Sequence, residues 1–147
     1  MDTIIECFGP PFGLVKFPDP ILKQVSTNTE IPPVLIQKQM ISIMLSHKGI
    51  GLAANQVGLD YRCFAIKTQR WKNIVICNPE IIDKSKDLIR SIEGCLSVPG
   101  KYEKIRHSWI TIKGVVNNKE KELAFCGIES CCVQHEIDHL NGILLND

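Results

Sequence analysis

The stretch from Gln134 to Gly142 contains two histidines at a spacing suited to metal binding. It reads QHEIDHLNG, so His135 and His139 stand at positions i and i+4. On a helix, these two imidazoles project from one face and can share a metal ion. Glu136, beside them, could accept the proton of a water that the metal activates. The pattern predicts the metal site of a hydrolase, whereas the plainer interpretation is a polar helix face with solvated histidines.

A third ligand must complete such a site, because a catalytic metal needs more than two histidines. The longer metzincin pattern places its third histidine where this chain has Leu145, and little sequence follows that residue. The third ligand is therefore expected upstream. His47, at the end of a predicted helix, and His107, within a predicted strand, are two candidates, and a lone histidine at either place is a weak signal.

Cys95 is a third candidate. It lies in SIEGCLSVPG, residues 91–100, between a glycine and turn-like residues. Such irregular backbone packs poorly as core, and a thiolate on it could reach a metal. One cysteine with two histidines would leave the fourth tetrahedral position open for water, as in a catalytic site. The sequence thus favours Cys95, with His47 and His107 as alternatives.

A glycine-rich stretch, GIGLAANQVG, runs from Gly49 to Gly58 and has too many small residues for a core helix. Gly49 and Gly51 allow the backbone to approach a ligand closely. Gln56 offers an amide donor that could stabilise a developing oxyanion. The plainer interpretation is a helix C-cap followed by a tight turn.

Two helices and several strands must position these residues. Residues 33–47 predict an amphipathic helix that begins near Pro33 and has Gly49 as its C′ residue. A second helix is expected from about Ile128 to Leu140. The β-rich runs between the helices cover residues 61–66, 73–77, 104–116 and 121–126.

The order of these elements predicts an α+β fold. Mostly antiparallel sheets would pack around a C-terminal helix that carries the H-E-x-x-H residues, with one further N-terminal helix. The pair Asn117–Asn118 favours a hairpin turn between the last two strands. A length of 147 residues, without repeats or linkers, predicts a single domain over residues 1–147.

The composition argues against several classes of function. The net charge is +1, with 44% hydrophobic and 22% charged residues, so no strong field favours nucleic acid. No apolar stretch is long enough to span a membrane, and the N-terminal MDTIIECFGPPFG does not resemble a signal peptide. Seven cysteines, an odd number without C-x-x-C, favour a reducing cytosolic compartment over a disulfide framework.

Three motifs together resemble the signature of the peptide deformylase family. They are GIGLAANQ (49–56), EGCLS (93–97) and HEIDH (135–139), in the order and spacing of that family. The lead-in KFPDPILKQVS (16–26) and Arg106 in KIRH are also similar. The resemblance implies removal of the formyl group from the N-terminal formyl-methionine of nascent polypeptides, with release of formate. It therefore implies an enzyme.

The resemblance also implies a set of residue roles. One ferrous ion per chain would be held by Cys95, His135 and His139, and zinc, nickel or cobalt could substitute for iron. Glu136 would be the general acid and base. The amide of Gln56 and a backbone N–H would polarise the formyl oxygen.

That backbone N–H belongs to Leu96, and Gly51 would meet the substrate through its own backbone, as an added strand does. Glu93 and Arg106 would pair and hold the cysteine loop in place. The residues implied in substrate binding are Gly49, Ile50, Gly51, Glu93, Gly94, Ile128, Cys131 and Cys132. His135 also belongs to the implied wall of the methionine pocket.

The tail after the third motif departs from the family pattern. Many bacterial members carry a further helix there, whereas this chain has only NGILLND. Shortened tails occur in some phage-encoded members, so a phage-type member is expected, acting in the bacterial cytosol or in the infected host cytosol. Formyl-methionyl nascent peptides and the ribosome are the expected partners, without direct sequence-specific nucleic-acid binding. A monomer that does not bind membranes is expected.

Two other classes of function fit part of the pattern. A zincin-like metallopeptidase would use the same helix but would need a cleft open at both ends and a downstream third ligand. A non-catalytic, metal-stabilised peptide-binding module would need a closed four-ligand site and no use for Glu136 or Gln56. Turnover on formylated against acetylated peptides separates these functions.

Overall fold

The computed structural model describes residues 13–147, which form two α-helices and seven β-strands. The helices are α1 (Val34–Ser46) and α2 (Gly127–Leu140). The strands are β1 (Gly51–Ala53), β2 (Cys63–Thr68), β3 (Lys72–Lys84), β4 (Leu88–Gly94), β5 (Lys101–His107), β6 (Trp109–Val116) and β7 (Lys119–Cys126). Residues 1–12 lie outside the described residues. They include Cys7 and most of the stretch compared with a signal peptide.

The strands form two antiparallel sheets that lie on either side of α2. A five-stranded sheet has the order β1-β2-β3-β6-β7, and β4 pairs with β5 in a separate two-stranded sheet. Side chains alternate along β6, where Ile110 and Ile112 point into the core, as expected for a half-buried strand. The Asn117–Asn118 turn between β6 and β7 has positive φ at both residues, which confirms the predicted hairpin turn.

The predicted strand over residues 104–116 is wrong as a single element. The chain leaves the two-stranded sheet after His107 and enters the five-stranded sheet at Trp109, where β6 pairs with β3 and β7. The buried side chains of Arg106 and Ile110 keep the same even-numbered alternation on both sides of Ser108. The alternation of buried and exposed side chains therefore does not reveal the change between sheets.

Two strands were not predicted, and β3 is much longer than expected. β1 was not predicted because it has only three residues, and β4 was not predicted because it mixes exposed apolar and charged side chains. β3 continues to Lys84 through irregular pairing with β6, past an Asn78–Pro79 pair that reads as a turn. Pairing with β6 overrides that local turn preference.

The position expected for Gly49 is wrong by one residue. α1 ends with His47 as C-cap, so Lys48 occupies the C′ position, with φ of 56°. The amide of Lys48 donates to Leu45 O at 3.0 Å, and that of Gly49 donates to Met44 O at 2.9 Å. These two bonds form a Schellman motif with lysine at the position where glycine is usual.

Helix α2 is buried on most of its surface. Val133, Ile137 and Leu140 pack against Phe64 and Ile110 of the five-stranded sheet. The opposite face of α2 carries the histidines and is turned toward the β4–β5 sheet. No helix among residues 13–147 is both long and apolar enough to cross a membrane.

Candidate active site

The side chains of Cys95, His135 and His139 converge at one point. Their ligand atoms all lie within 4.8 Å of one another, and within residues 13–147 they are the one group of three metal-ligating side chains so placed. Cys95 Sγ lies 3.3 Å from His139 Nε2, which lies 3.1 Å from His135 Nε2. α2 supplies both histidines, and the loop after β4 supplies the cysteine.

The two alternative histidines lie elsewhere. His47 Nδ1 is 3.0 Å from Ile43 O at the end of α1, and His107 Nδ1 is 2.9 Å from Ser85 O. Both rings are thus engaged with backbone carbonyls in structural positions. Of the three candidates that the sequence left open, Cys95 alone is near the H-E-x-x-H histidines.

The donor set of this cluster fits a metal ion. His135 Nδ1 lies 3.0 Å from Glu93 Oε1, and since a carboxylate only accepts, Nδ1 carries a proton and Nε2 is the ring nitrogen that faces the cluster. Burial lowers the pKa of His139 to about 3, so its ring is neutral. Two imidazole nitrogens and a cysteine sulfur directed at one point suit iron or zinc.

Glu136 is buried beside the cluster without a hydrogen-bond partner for Oε1. It is only 3% exposed, and Oε2 faces Gly51 of β1. Burial raises the pKa of Glu136 to about 7, although the neighbouring His135 acts in the opposite direction. A carboxyl group with this pKa can both accept and return a proton near neutral pH.

Gln56 holds its amide toward the cysteine loop. Its Oε1 accepts from the Ala53 amide at 2.9 Å, and its Nε2 donates to Ser97 Oγ at 3.1 Å and lies 3.5 Å from Cys95 Sγ. The short 3-10 turn Ala54–Val57 after β1 positions this side chain. Leu96 lies next to Cys95 in the same loop and lines the adjoining cleft.

An ion network behind the cluster joins β4, β5 and α2. Arg106 donates through Nε and Nη2 to the Glu93 carboxylate at 3.0 and 2.7 Å. Its Nη1 donates to Asp138 Oδ2 at 2.6 Å. Burial alone would raise the pKa of Glu93, but hydrogen bonds from Arg106 and His135 outweigh it and hold the pKa at about 2. Glu93 therefore stays ionised and accepts a hydrogen bond from His135.

Asp138 is a member of this network that the sequence reasoning missed. It lies inside HEIDH, three residues after His135, and so on the neighbouring turn of one helix face. The available signal was an acidic residue at that spacing on the helix, together with Arg106, which was already expected near the cysteine loop. Its bond to Arg106 ties α2 directly to β5.

A cleft of about 800 Å³ opens beside the cluster. All eight residues implied in substrate binding line it, as do Gln56, Cys95, Leu96, His135 and Glu136. His139 and Arg106 lie behind it. The sequence did not predict the other lining residues, which are Lys48, Ile89, Arg90, Ser91, Ile92, Lys101 and Gly127.

Comparison with known proteins decides the family. The family model described as polypeptide deformylase matches residues 11–147. This chain belongs to the polypeptide deformylase family. A curated peptide deformylase of Thermodesulfovibrio yellowstonii is 42% identical over 141 residues, which cover 90% of this chain and 85% of that protein.

Solved deformylase structures share the fold. A peptide deformylase from Synechococcus elongatus in complex with actinonin has a TM-score of 0.85 at 36% identity, covering 94% of this chain and 78% of that one. A probable peptide deformylase from Synechococcus phage S-SSM7 has a TM-score of 0.84 at 34% identity, covering 92% and 98%. The predicted α+β architecture around a C-terminal helix is confirmed.

Membership establishes the class of activity. The chain is a metal-dependent deformylase that removes the formyl group from N-formyl-methionyl peptides and releases formate. The metallopeptidase and binding-module alternatives are not favoured.

Proposed function

We propose that the cleft is the site of deformylation and that Cys95, His135 and His139 hold the metal ion. The observation that carries this proposal is the convergence of these three ligand atoms within 4.8 Å, beside the buried carboxylate of Glu136, whose Oε1 has no hydrogen-bond partner. Ferrous iron is the proposed native ion, and zinc, nickel or cobalt would fit the same donors. When bound, the metal supplies a Lewis acid that activates water and polarises the formyl carbonyl.

Glu136 is the proposed proton carrier. Oε1 has no protein partner, so it is free to accept the proton of the attacking water. The same carboxyl group then delivers that proton to the leaving amine of methionine. The raised pKa of about 7 supports both steps, because the group binds and loses its proton near neutral pH.

Two hydrogen-bond donors are proposed to stabilise the negative charge that develops on the formyl oxygen. They are the Gln56 amide and the backbone N–H of Leu96, which flank Cys95 from two different loops. Gln56 is held in place through Ala53 and Ser97, so little reorganisation is needed when the charge forms. Loss of one such donor typically slows a reaction about 100- to 1000-fold.

The peptide is proposed to bind in extended form along the cleft. Gly51 lies in β1, an edge strand of the five-stranded sheet, and could offer its backbone to a peptide strand. The methionine side chain would contact the apolar wall, with Gly49, Glu93 and Gly94 nearer the peptide backbone. The proposed wall residues are Ile50, Ile128, Cys131, Cys132 and His135, all of which line the cleft.

Glu93 and Arg106 are proposed to hold the cysteine loop and His135 in place. The chain is further proposed to act as a single-domain monomer in the cytoplasm on nascent peptides that leave the ribosome.

The deciding experiment measures formate released from a formyl-Met tripeptide. The protein would be purified without oxygen and reconstituted separately with ferrous iron, nickel and zinc. Formate release from the formylated peptide, without release of acetate from its acetylated analogue, is expected. Absence of release with every metal, despite one metal bound per chain, would overturn the proposal in favour of a binding module. Cleavage of an internal peptide bond would indicate a metallopeptidase.

A further inference from the structure

The rim of the cleft carries three cationic side chains. Lys48, Arg90 and Lys101 line the cleft and are exposed, and we call them the cationic rim. The two carboxylates that also line the cleft, Glu93 and Glu136, are 9% and 3% exposed and lie at its floor. Among the described lining residues, the accessible charge is therefore positive, although the whole chain is nearly neutral.

These cations are largely free to meet a ligand. Within residues 13–147, no carboxylate forms an ion pair with Lys48 or Lys101. Arg90 Nε lies 3.5 Å from Glu103 Oε1, and its side chain is 80% exposed, so water weakens that pair. The buried Glu93 does not offset the rim, because Arg106 already binds both of its oxygens.

Lys48 occupies a backbone position that favours glycine. Its φ of 56° lies in the left-handed region, at the C′ position of α1. A lysine there is strained relative to glycine, yet it places a long cationic side chain directly before Gly49 and Ile50. Backbone strain that serves a function is found at binding and catalytic sites, and this strained residue lines the cleft.

The strand geometry sets the order in which a peptide would meet the rim. The reacting end lies at Cys95, and the cleft continues along the unpaired edge of β4 from Gly94 back to Ile89. Lys101 is paired in register with Gly94. Arg90 is four residues from Gly94, or about 13 Å along the strand. An extended peptide would pass Lys101 first and Arg90 later.

We propose that the cationic rim selects formylated peptides with acidic side chains among the residues that follow methionine. This proposal rests on the proposed function of the cleft. Lys48 and Lys101 lie beside Gly49 and Gly94, which are proposed to contact the beginning of the peptide, whereas Arg90 lies further along the cleft. Complementary charge both attracts the peptide and stabilises the bound complex, chiefly by lowering KM.

The test compares formyl-Met peptides that differ at one position. Glu, Gln or Lys is placed at the second, third or fourth residue of an otherwise alanine peptide whose C-terminus is amidated, which removes the terminal carboxylate. We expect kcat/KM to fall in the order Glu, Gln, Lys, with about a tenfold span at low salt. At high salt the span should shrink, because the rim charges are exposed.

Variants then assign the preference to residues. Lys48→Gln, Arg90→Gln and Lys101→Gln should each lower the Glu-to-Lys ratio of kcat/KM by about two- to fivefold. Lys48→Gly removes the charge while relieving the left-handed strain, so a lower ratio in that variant cannot be attributed to misfolding. Lys119→Gln, in the β6–β7 hairpin away from the cleft, should keep the ratio of the native protein.

The outcomes separate the two proposals. Absence of formate from every peptide would contradict the proposed function itself. Formate release at equal kcat/KM for Glu, Gln and Lys peptides would overturn the selection of acidic peptides alone. Unchanged ratios in the rim variants, together with weaker binding to ribosomes, would assign the cations to ribosomal RNA and also overturn it.

Discussion

Gly51 shows how little room a single residue has beside the candidate site. A Cβ at this position would overlap with Glu136 Oε2 and lie 3.0 Å from Cys132 Sγ. Both neighbours are side chains of α2, so a Cβ at residue 51 would fit only if they shifted. Glycine is thus required here for close approach and not for an unusual backbone angle.

Gly51→Ala should therefore displace the Glu136 carboxylate while the metal ligands stay in place. We expect kcat/KM to fall about 100-fold or more, since a displacement of about 1 Å can have that effect. Metal content, measured by elemental analysis, should stay at the native level. Gly13→Ala is the matched control, because a Cβ at Gly13 meets no atom within 4 Å. Full activity in Gly51→Ala would contradict the proposed role of Glu136.

Glu136 itself offers the sharpest test of the mechanism. Glu136→Ala should keep the metal, because Glu136 is not among the three converging ligands. Formate release should fall by a factor of about 100 to 10,000, the usual contribution of a general acid and base. Turnover and bound metal would be measured on the same preparation. An active, metal-replete variant would refute the assignment.

At the level of elements, Arg106 connects three pieces of secondary structure. It lies on β5 and binds Glu93 of β4 and Asp138 of α2. Through Glu93, the network reaches His135 and fixes the ring that is proposed to hold the metal. The two-stranded sheet is thereby attached to the helix it must face.

Arg106→Met should release this attachment. The buried Glu93 carboxylate would lose both of its arginine bonds, and breaking a buried ion pair costs about 3–5 kcal/mol. Urea unfolding should show this loss, and metal affinity should fall as His135 loses its orientation. Arg90→Met, on the exposed face of the same sheet, should change stability by less than about 1 kcal/mol. Equal stability of the two variants would contradict the structural role of the network.

The C-terminal end of α2 is held by polar side chains from the other half of the molecule. Asn55 donates to His139 O at 2.7 Å, and Arg62 donates to Leu140 O at 3.1 Å and to Asn141 Oδ1 at 2.9 Å. These bonds satisfy carbonyls that the helix leaves open, and the cation suits the negative end of the helix dipole. They fix the position of His139 relative to β1 and the turn that follows it.

For the whole molecule, metal binding and stability should be linked. The three proposed ligands come from positions 95, 135 and 139, and only the folded chain brings them together. A ligand that binds only the folded state at 100 times its Kd adds about 2.7 kcal/mol, or roughly 5–10 °C in Tm at this chain length. Calorimetry with and without ferrous iron or zinc would measure the shift.

Cys95→Ser should abolish most of that shift, because a hydroxyl is a poor substitute for a thiolate ligand. Glu136→Ala should retain it and serves as the matched control. The iron content of Cys95→Ser should fall in parallel. Unchanged iron content and an unchanged shift would show that Cys95 is not a ligand.

Local patterns in the sequence predicted the parts of the fold that depend on neighbouring residues. Helix α2 and the i, i+4 placement of His135 and His139 follow from helical periodicity alone. The Asn117–Asn118 turn follows from the tolerance of asparagine for positive φ. The three motifs identified the family because their residue types and order are specific.

Long-range contacts determined the parts of the fold and of the site that the sequence did not predict. The change of sheet at Ser108, the pairing of β4 with β5 and the bond from Arg106 to Asp138 join residues whose own patterns do not reveal their partners. The cationic rim likewise combines positions that are far apart in sequence. The sequence alone therefore determined which chemical groups are present and how they lie along each helix. Only tertiary packing decided which of them meet, because sheet register and inter-element contacts depend on the whole chain.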